Sequence, residues 1–209
     1  PKPVLCVHGL GANRHNFDVF GDPGALPRRL AALGHDSYVV ELRGMGKSSI
    51  KNSSGAKHSS VDHYLNYDLP AVVNYILQSG AGRAEQQPQL HWVGHSLGAI
   101  LGYIYGGSHP QQLASLTSVA GPLPAAVPLF ARDFLILLRH FIRGGLKHYL
   151  LPNRHGAQAF KRLPKLARLA YDGMLFHGEN LSDELLVKVA DECLENVSLG
   201  VIRRLAEWT

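Results

Sequence analysis

A serine framed by glycines, between an apolar strand-like run and an apolar helix-like run, is the strongest chemical signal in the chain: Gly94-His95-Ser96-Leu97-Gly98, the pattern G-x-S-x-G. On a sharp strand-to-helix turn a serine holds its hydroxyl out above the sheet, and the flanking glycines remove side chains that would clash there. The helix N-terminus beneath it supplies free N–H groups and a partial positive charge for a developing oxyanion. In a loop the same five residues would be only a glycine-rich turn. Here a strand before and a buried helix after favour a nucleophile. A second turn, Val7-His8-Gly9-Leu10-Gly11, directly follows the first apolar run. Small residues leave the Leu10 N–H free to point at a substrate oxygen, and with the Leu97 N–H it makes two donors for one oxyanion hole. His8 is read as bracing this turn by hydrogen bonds. Alone the turn would be an ordinary strand end; paired with the serine turn it is read as part of a site.

A serine nucleophile needs a histidine within hydrogen-bond reach and an acid to orient it. The chain has 12 histidines, so adjacency is a poor guide. His95 neighbours Ser96, but successive residues at a strand end point to opposite faces, which argues against it as the base. Two look-alikes fail. Gly44-Met45-Gly46-Lys47-Ser48 resembles the end of a phosphate-binding loop, but the required glycine at position 41 is Glu. Gly9-Leu10-Gly11 lacks the third glycine of the dinucleotide fingerprint, where Arg14 stands. No H-E-x-x-H and no paired C-x-x-C occur, so no metal is expected and no cofactor is implied.

These turns need a sheet to position them. Val4–Val7, Ser37–Leu42, Leu90–Gly94 and Ser115–Ala120 read as strands, and Leu26–Leu33 and Leu97–Gly107 as helices. Leu65, Leu69, Val72, Val73, Ile76 and Leu77 repeat at helical spacing, with Pro70 tolerable if Asp68 caps that helix. Strands alternating with helices, and apolar on both faces, predict a parallel sheet covered on both sides. From Gln86 to Ala131 there is no Asp, Glu, Lys or Arg, as suits the middle of such a sheet. After Gly121-Pro122-Leu123-Pro124 the pattern changes to helical periods at Phe130–Phe141, Lys161–Leu175 and Ser182–Trp208, with no convincing strand among them. The expected division is a sheet core over 1–122 and a helical insertion over 123–209.

Composition excludes several classes. With 45% hydrophobic and 18% charged residues, the 209-residue chain can bury a substantial core. Lys plus Arg exceed Asp plus Glu by 5 (21 against 16), and the excess is local. Between Pro128 and Arg168 stand nine basic residues against Asp133 alone, so that segment carries +8 and the rest −3. A nucleic-acid binder spreads its basic face across the fold, so no nucleic-acid partner is expected. Cys6 and Cys193 cannot make a disulfide framework, so nothing argues for a secreted stapled fold; the compartment stays open, with a cytoplasmic location favoured. Asn52-Ser53-Ser54 and Asn196-Val197-Ser198 match glycosylation acceptors, of consequence only in a secreted protein. No apolar run approaches the roughly 18 residues of a membrane span.

In these motifs the chain resembles the α/β-hydrolase fold superfamily. The resemblance rests on the HGLG turn at His8–Gly11, on Glu41-Leu42-Arg43-Gly44-Met45-Gly46-Lys47-Ser48, and on the GHSLG elbow at Gly94–Gly98. The middle segment matches the common D-x-R-G-x-G-x-S stretch, with Glu41 in place of Asp. The resemblance implies a three-layer α/β/α fold with a mostly parallel sheet, incomplete here, plus a helical cap. It implies Ser96 as nucleophile and the Leu10 and Leu97 amides as the oxyanion hole, with His8, Gly9, Gly11, Gly94, His95 and Gly98 shaping the two turns. It also implies the chain order serine, acid, histidine. Asp133, Asp172, Asp183 and Asp191 lie in cap-like helical sequence, as do His140, His148, His155 and His177, and each is a weak candidate. The chain opens on Pro1-Lys2-Pro3 and breaks off at Thr209 within a helical pattern. The expectation is therefore that it is cut at both ends and that the acid and histidine follow Thr209.

The function expected from this reading is cleavage of a carboxylic ester, esterase- or lipase-like, through an acyl-enzyme on Ser96. The substrate would be a small-molecule ester or lipid-like. Acyl transfer to an acceptor other than water would use the same residues, and a non-catalytic binding protein on the same fold is the alternative of a different class. Dehalogenases and epoxide hydrolases are disfavoured, because those relatives would carry Asp at position 96. On Phe130–Phe141 the apolar Phe130, Phe134, Leu137, Leu138 and Phe141 share one face, and Arg132, Arg139 and Arg143 gather on another. The plainer reading is a packed helix with a solvated basic face. The alternative is a lid that meets an acyl chain or a lipid surface, its arginines toward anionic headgroups.

Overall fold

The computed structural model describes residues 1–18, 24–48, 59–79, 87–121, 150–151, 180 and 182–208. Its centre is a four-stranded parallel sheet: β1 (Val4–Val7), β2 (Ser37–Val40), β3 (Leu90–His95) and β4 (Leu113–Val119), in the order β2-β1-β3-β4. The central strand β1, Val-Leu-Cys-Val, is buried at every position, as a strand covered on both faces must be. β4 departs from the expected two-sided burial. Only Leu113 and Leu116 are half-buried and the rest of its residues are exposed. Among the described residues it is the edge of the sheet, and its Ala, Ser and Thr side chains bring little apolar area to bury.

Helix α1 (Leu97–Ser108) leaves β3 at the elbow and packs back on the sheet. Its Leu97, Ala99, Leu101 and Tyr105 are buried. Trp92 of β3 lies beneath it, with no solvent exposure, stacks on Tyr105 at 5.8 Å between ring centroids, and donates its indole N–H to the Gly98 carbonyl at 3.0 Å. A buried tryptophan needs a partner for that N–H. Here the pairing also fixes the first turn of α1 above β3.

A second helical run begins at Val61, earlier than the hydrophobic spacing predicts. Ser60 caps it in a reciprocal arrangement with His63. The run continues through a π-helical turn, Tyr64–Asp68, into α2 (Leu69–Gln78). Asp68 makes no side-chain cap, contrary to the reading that allowed for Pro70. Its carboxylate instead receives the Arg43 guanidinium, Nε at 2.9 Å and Nη2 at 2.5 Å. The wide turn is where the helix absorbs Pro70, which has no N–H for the usual ladder.

Within 123–209, Phe130–Phe141 and Lys161–Leu175 lie outside the described residues. The span Ser182–Trp208, expected to be one helical pattern without strands, is two helices, α3 (Asp183–Glu192) and α4 (Leu199–Ala206). Between them Val197–Ser198 pairs antiparallel with Leu150–Leu151. Buried Val197, Leu199, Val201 and Ile202 join the same hydrophobic cluster as Trp92, Leu101 and Val73. Ser198 donates its hydroxyl to Ser59 O at 2.8 Å and accepts from Gly200 N–H at 3.2 Å. The second glycosylation pattern therefore has its hydroxyl buried and in structural use. Among the described residues no helix is long and apolar enough to cross a membrane.

Candidate active site

The elbow forms because β3 and α1 meet at one residue. Ser96 is the N-cap of α1, with φ 49° and ψ −113°. That backbone costs an L-residue of order 1–3 kcal/mol and survives only where its surroundings over-determine it. They do so here. The Ser96 N–H donates to Val119 O of β4 at 2.9 Å, and its carbonyl accepts from Ala99 N–H at 3.0 Å and Ile100 N–H at 3.2 Å. Close approach of the segments is the other condition. A side chain on Gly98 would run into the Val7 carbonyl and within 2.8 Å of His8 O, so the first turn of α1 rests directly on the end of β1. Gly94 faces the Gly98–Ala99 peptide in the same manner. Leu97 is the first helical residue, so its N–H has no carbonyl within the helix to bond.

The first turn lies against this elbow. A Cβ on Gly9 would stand 2.8 Å from His95 Nδ1 and 3.3 Å from Ser96 Cβ, too close to the ring for any side chain. Gly11 closes the turn at φ 63°. The imidazole of His8, 1% exposed, is hydrogen-bonded into this turn. Leu42 N–H donates to His8 Nε2 at 3.2 Å, so Nε2 is bare, Nδ1 carries the proton, and Nδ1–H donates to Gly9 O at 2.9 Å. Ala12 N–H donates to the same oxygen at 3.3 Å. The Gly9 carbonyl and the Leu10 N–H belong to one trans peptide and point in opposite directions. Holding the carbonyl therefore aims the Leu10 N–H away from His8. Burial lowers the His8 pKa, and the Gly9 bond and the Glu41 and Glu195 charges oppose that only in part. The ring is neutral, as the bond from Leu42 requires.

His95 is committed away from the serine. Its Nδ1 lies 2.8 Å from Asn16 Oδ1, and burial lowers its pKa. Among the described residues no hydrogen bond joins an imidazole to the Ser96 hydroxyl. Of the weak acid and base candidates, Asp183 and Asp191 are exposed on α3. Asp133, Asp172, His140, His148, His155 and His177 lie outside the described residues. Glu41, the departure from the familiar Asp, folds its carboxylate onto its own loop. It accepts Lys47 N–H at 2.7 Å and lies 4.0 Å from Arg14 Nε.

Two asparagines that sequence reasoning passed over hold the turns together. Asn13, 5% exposed, donates through Nδ2 to Glu192 O at 2.8 Å and Glu195 Oε1 at 2.9 Å, and receives His15 N–H on Oδ1 at 2.9 Å. Its N–H donates to Cys193 O, and Glu195 N–H donates to Gly11 O. The turn after β1 is thus laced to the end of α3. Asn16 lies three residues on and donates its N–H to Asn13 O at 3.0 Å. Neither belongs to a short motif. The only local hint is the density of polar residues, Asn13-Arg14-His15-Asn16, beside a glycine-rich turn.

The family model described as alpha/beta hydrolase fold matches residues 2–158. The lysosomal acid lipase/cholesteryl ester hydrolase of Rattus norvegicus is 29% identical over 179 residues, 82% of this chain and 42% of that protein. The gastric triacylglycerol lipase of the same species is 30% identical over 139 residues, 63% of this chain and 34% of that protein. Among solved structures, the thioesterase domain from the curacin biosynthetic pathway superposes with a TM-score of 0.54 at 25% identity, covering 99% of this chain and 64% of that one. The chain spans less than half the length of these two lipases.

Proposed function

The chain belongs to the α/β-hydrolase fold family, and on that premise we propose that it carries the nucleophile and oxyanion turns of a serine hydrolase acting on carboxylic esters. One observation carries the reading: Ser96 holds a strained backbone at the tip of β3, within contact distance of the Gly9 turn. Backbone strain of this kind clusters at functional sites, where the surrounding structure holds it in place. In the proposed reaction the Ser96 hydroxyl attacks the ester carbonyl and loses its proton to a general base. The Leu10 and Leu97 N–H groups stabilise the tetrahedral oxyanion, the alcohol leaves, and water releases the acyl group from the serine. The lipase relatives support an ester or lipid-like substrate, and the 123–209 segment is proposed as the cap over the site.

The test is intact-mass spectrometry of the chain after a fluorophosphonate, run beside hydrolysis of short and medium p-nitrophenyl esters. One phosphonyl adduct on Ser96, and loss of both adduct and turnover in Ser96→Ala, is the expected result. An alanine variant that turns over as fast as the parent removes Ser96 from the mechanism.

A further inference from the structure

Resting on that reading, we infer that Asn16 is a positioning residue that sets the distance between the two halves of the oxyanion hole. The two donor turns come from segments more than eighty positions apart, and no covalent link fixes their separation. One atom spans them. Asn16 Oδ1 accepts the Gly9 N–H at 3.0 Å and lies 2.8 Å from His95 Nδ1. The chemistry leaves no freedom in the assignment. A backbone N–H can only donate, so the amide atom facing it is the oxygen. An amide oxygen can only accept, so His95 Nδ1 carries the proton. Asn16 therefore ties the residue before Leu10 to the residue before Ser96. Without it the Gly9 N–H and, in this tautomer, the His95 Nδ1–H lose their common acceptor.

The support beneath Asn16 is rigid. Its own N–H goes to Asn13 O, and Asn13 is anchored through Glu192 O, Glu195 Oε1 and Cys193 O. The clearance at Gly9 shows how little slack the arrangement has, since a Cβ there would stand 2.8 Å from His95 Nδ1 and force the ring to shift. An oxyanion hole works only when both donors stand at hydrogen-bond distance from the place the charge develops. A small change in the spacing of Gly9 and His95 moves the Leu10 donor relative to Leu97 without altering what binds the rest of a substrate. Asn16 touches no reacting atom; it acts through the two turns.

The experiment uses the 209-residue chain with Asn16→Leu, which keeps the size and removes the acceptor, and Asn16→Asp, which keeps the acceptor and adds a charge. For Asn16→Leu, Ser96-dependent kcat on p-nitrophenyl esters is expected to fall roughly tenfold to a hundredfold with KM within about twofold, because uniform binding is untouched. For Asn16→Asp, the carboxylate on Nδ1–H favours the imidazolium, so His95 followed by NMR should titrate about one pH unit or more higher than in the parent. The pH profile of kcat should gain a step at that same pH. Unchanged kcat in a folded Asn16→Leu protein, or a His95 titration in Asn16→Asp superimposable on the parent, overturns the inference. If Asn16→Leu fails to fold by circular dichroism, the aspartate variant alone decides. Absence of any Ser96-dependent turnover in the parent defeats the serine-hydrolase reading instead, and the His95 titration still tests the bridge.

Discussion

Ser96 and Ala120 are the two non-glycine residues with left-handed backbone among those described, at φ 49° and 50°, and they stand at the ends of neighbouring parallel strands. The register pairs His95 with Val119, and the Ser96 N–H donates to Val119 O at 2.9 Å. Strain at one strand end is thus locked to strain at the next. The Ala120 turn is held from below as well, because Gly121 packs directly against Ala99 of α1 and the Ser118 hydroxyl.

Ala120→Gly should therefore stabilise the protein. Glycine adopts left-handed backbone without the roughly 1–2 kcal/mol an L-residue spends there, and its greater freedom in the unfolded chain returns part of the gain. A net increase of about 0.5–1 kcal/mol in urea unfolding is expected. A loss of stability would show that the Ala120 methyl makes contacts worth more than the strain.

The two ends of α1 call for opposite outcomes from one substitution. At Gly98 a methyl group meets the Val7 and His8 carbonyls, backbone that cannot yield, so Gly98→Ala should cost about 1–3 kcal/mol as overpacking does. At Gly107 a Cβ meets nothing within 4 Å, so Gly107→Ala should gain up to about 0.5–1 kcal/mol from helix propensity. Thermal unfolding of the two variants beside the parent decides. Equal effects would mean that α1 is not seated on β1 as described.

Much of this was legible in the sequence because the signals were local. Apolar runs ending in glycine marked β1 and β3, and G-x-S-x-G between strand and helix placed the elbow within a residue. The role of His8 as a brace followed from its position in a tight turn. What escaped depended on partners far along the chain. The duty of Asp68 is set by Arg43, 25 residues earlier, so helix-cap reasoning misassigned it. Asn13 and Asn16 are ordinary polar residues until Glu192, Glu195, Gly9 and His95 are brought beside them. The Val197–Ser198 strand is too short for alternation to reveal.

Stability should depend on pH through His8. Burial lowers its folded pKa below the ordinary value, while in the unfolded chain it titrates near 6.5, a value of about the usual size. Above that pH neither state is protonated and the full stability is present. As pH falls through about 6.5 toward the folded pKa, the unfolded state takes up the proton first, and stability drops by up to about 1.4 kcal/mol per pH unit. His95 and His91 are also lowered, chiefly by burial, and add in the same sense. Urea midpoints between pH 8 and pH 5 should fall accordingly, and His8→Asn, which cannot titrate, should show a shallower slope. An unchanged slope in that variant would assign the dependence elsewhere.

The last expectation concerns the base. His8 spends both ring nitrogens on Gly9 and Leu42, and His95 gives Nδ1 to Asn16. Nδ1 of His35 lies beside Lys2 O, that of His63 beside Ser60, that of His91 beside Ser115 and that of His109 beside Tyr105 O. None of these is hydrogen-bonded to the Ser96 hydroxyl. A serine hydroxyl without a base is a poor nucleophile near neutral pH, and an oxyanion hole with substrate binding leaves about 10³–10⁴-fold over water. If none of the histidines outside the described residues, His58, His140, His148, His155 and His177, serves as base, the 209-residue chain should turn over p-nitrophenyl esters at about that level. Replacing His140, His148, His155 or His177 singly by alanine should leave the Ser96-dependent rate within about threefold, since a group that is not the base adds little to the transition state. Labelling rates with a fluorophosphonate, measured per mole of folded protein, give an independent reading of the same four variants. A drop of about a hundredfold or more in one of them, with the fold intact, would identify the base within this chain, because removal of a general base costs of that order.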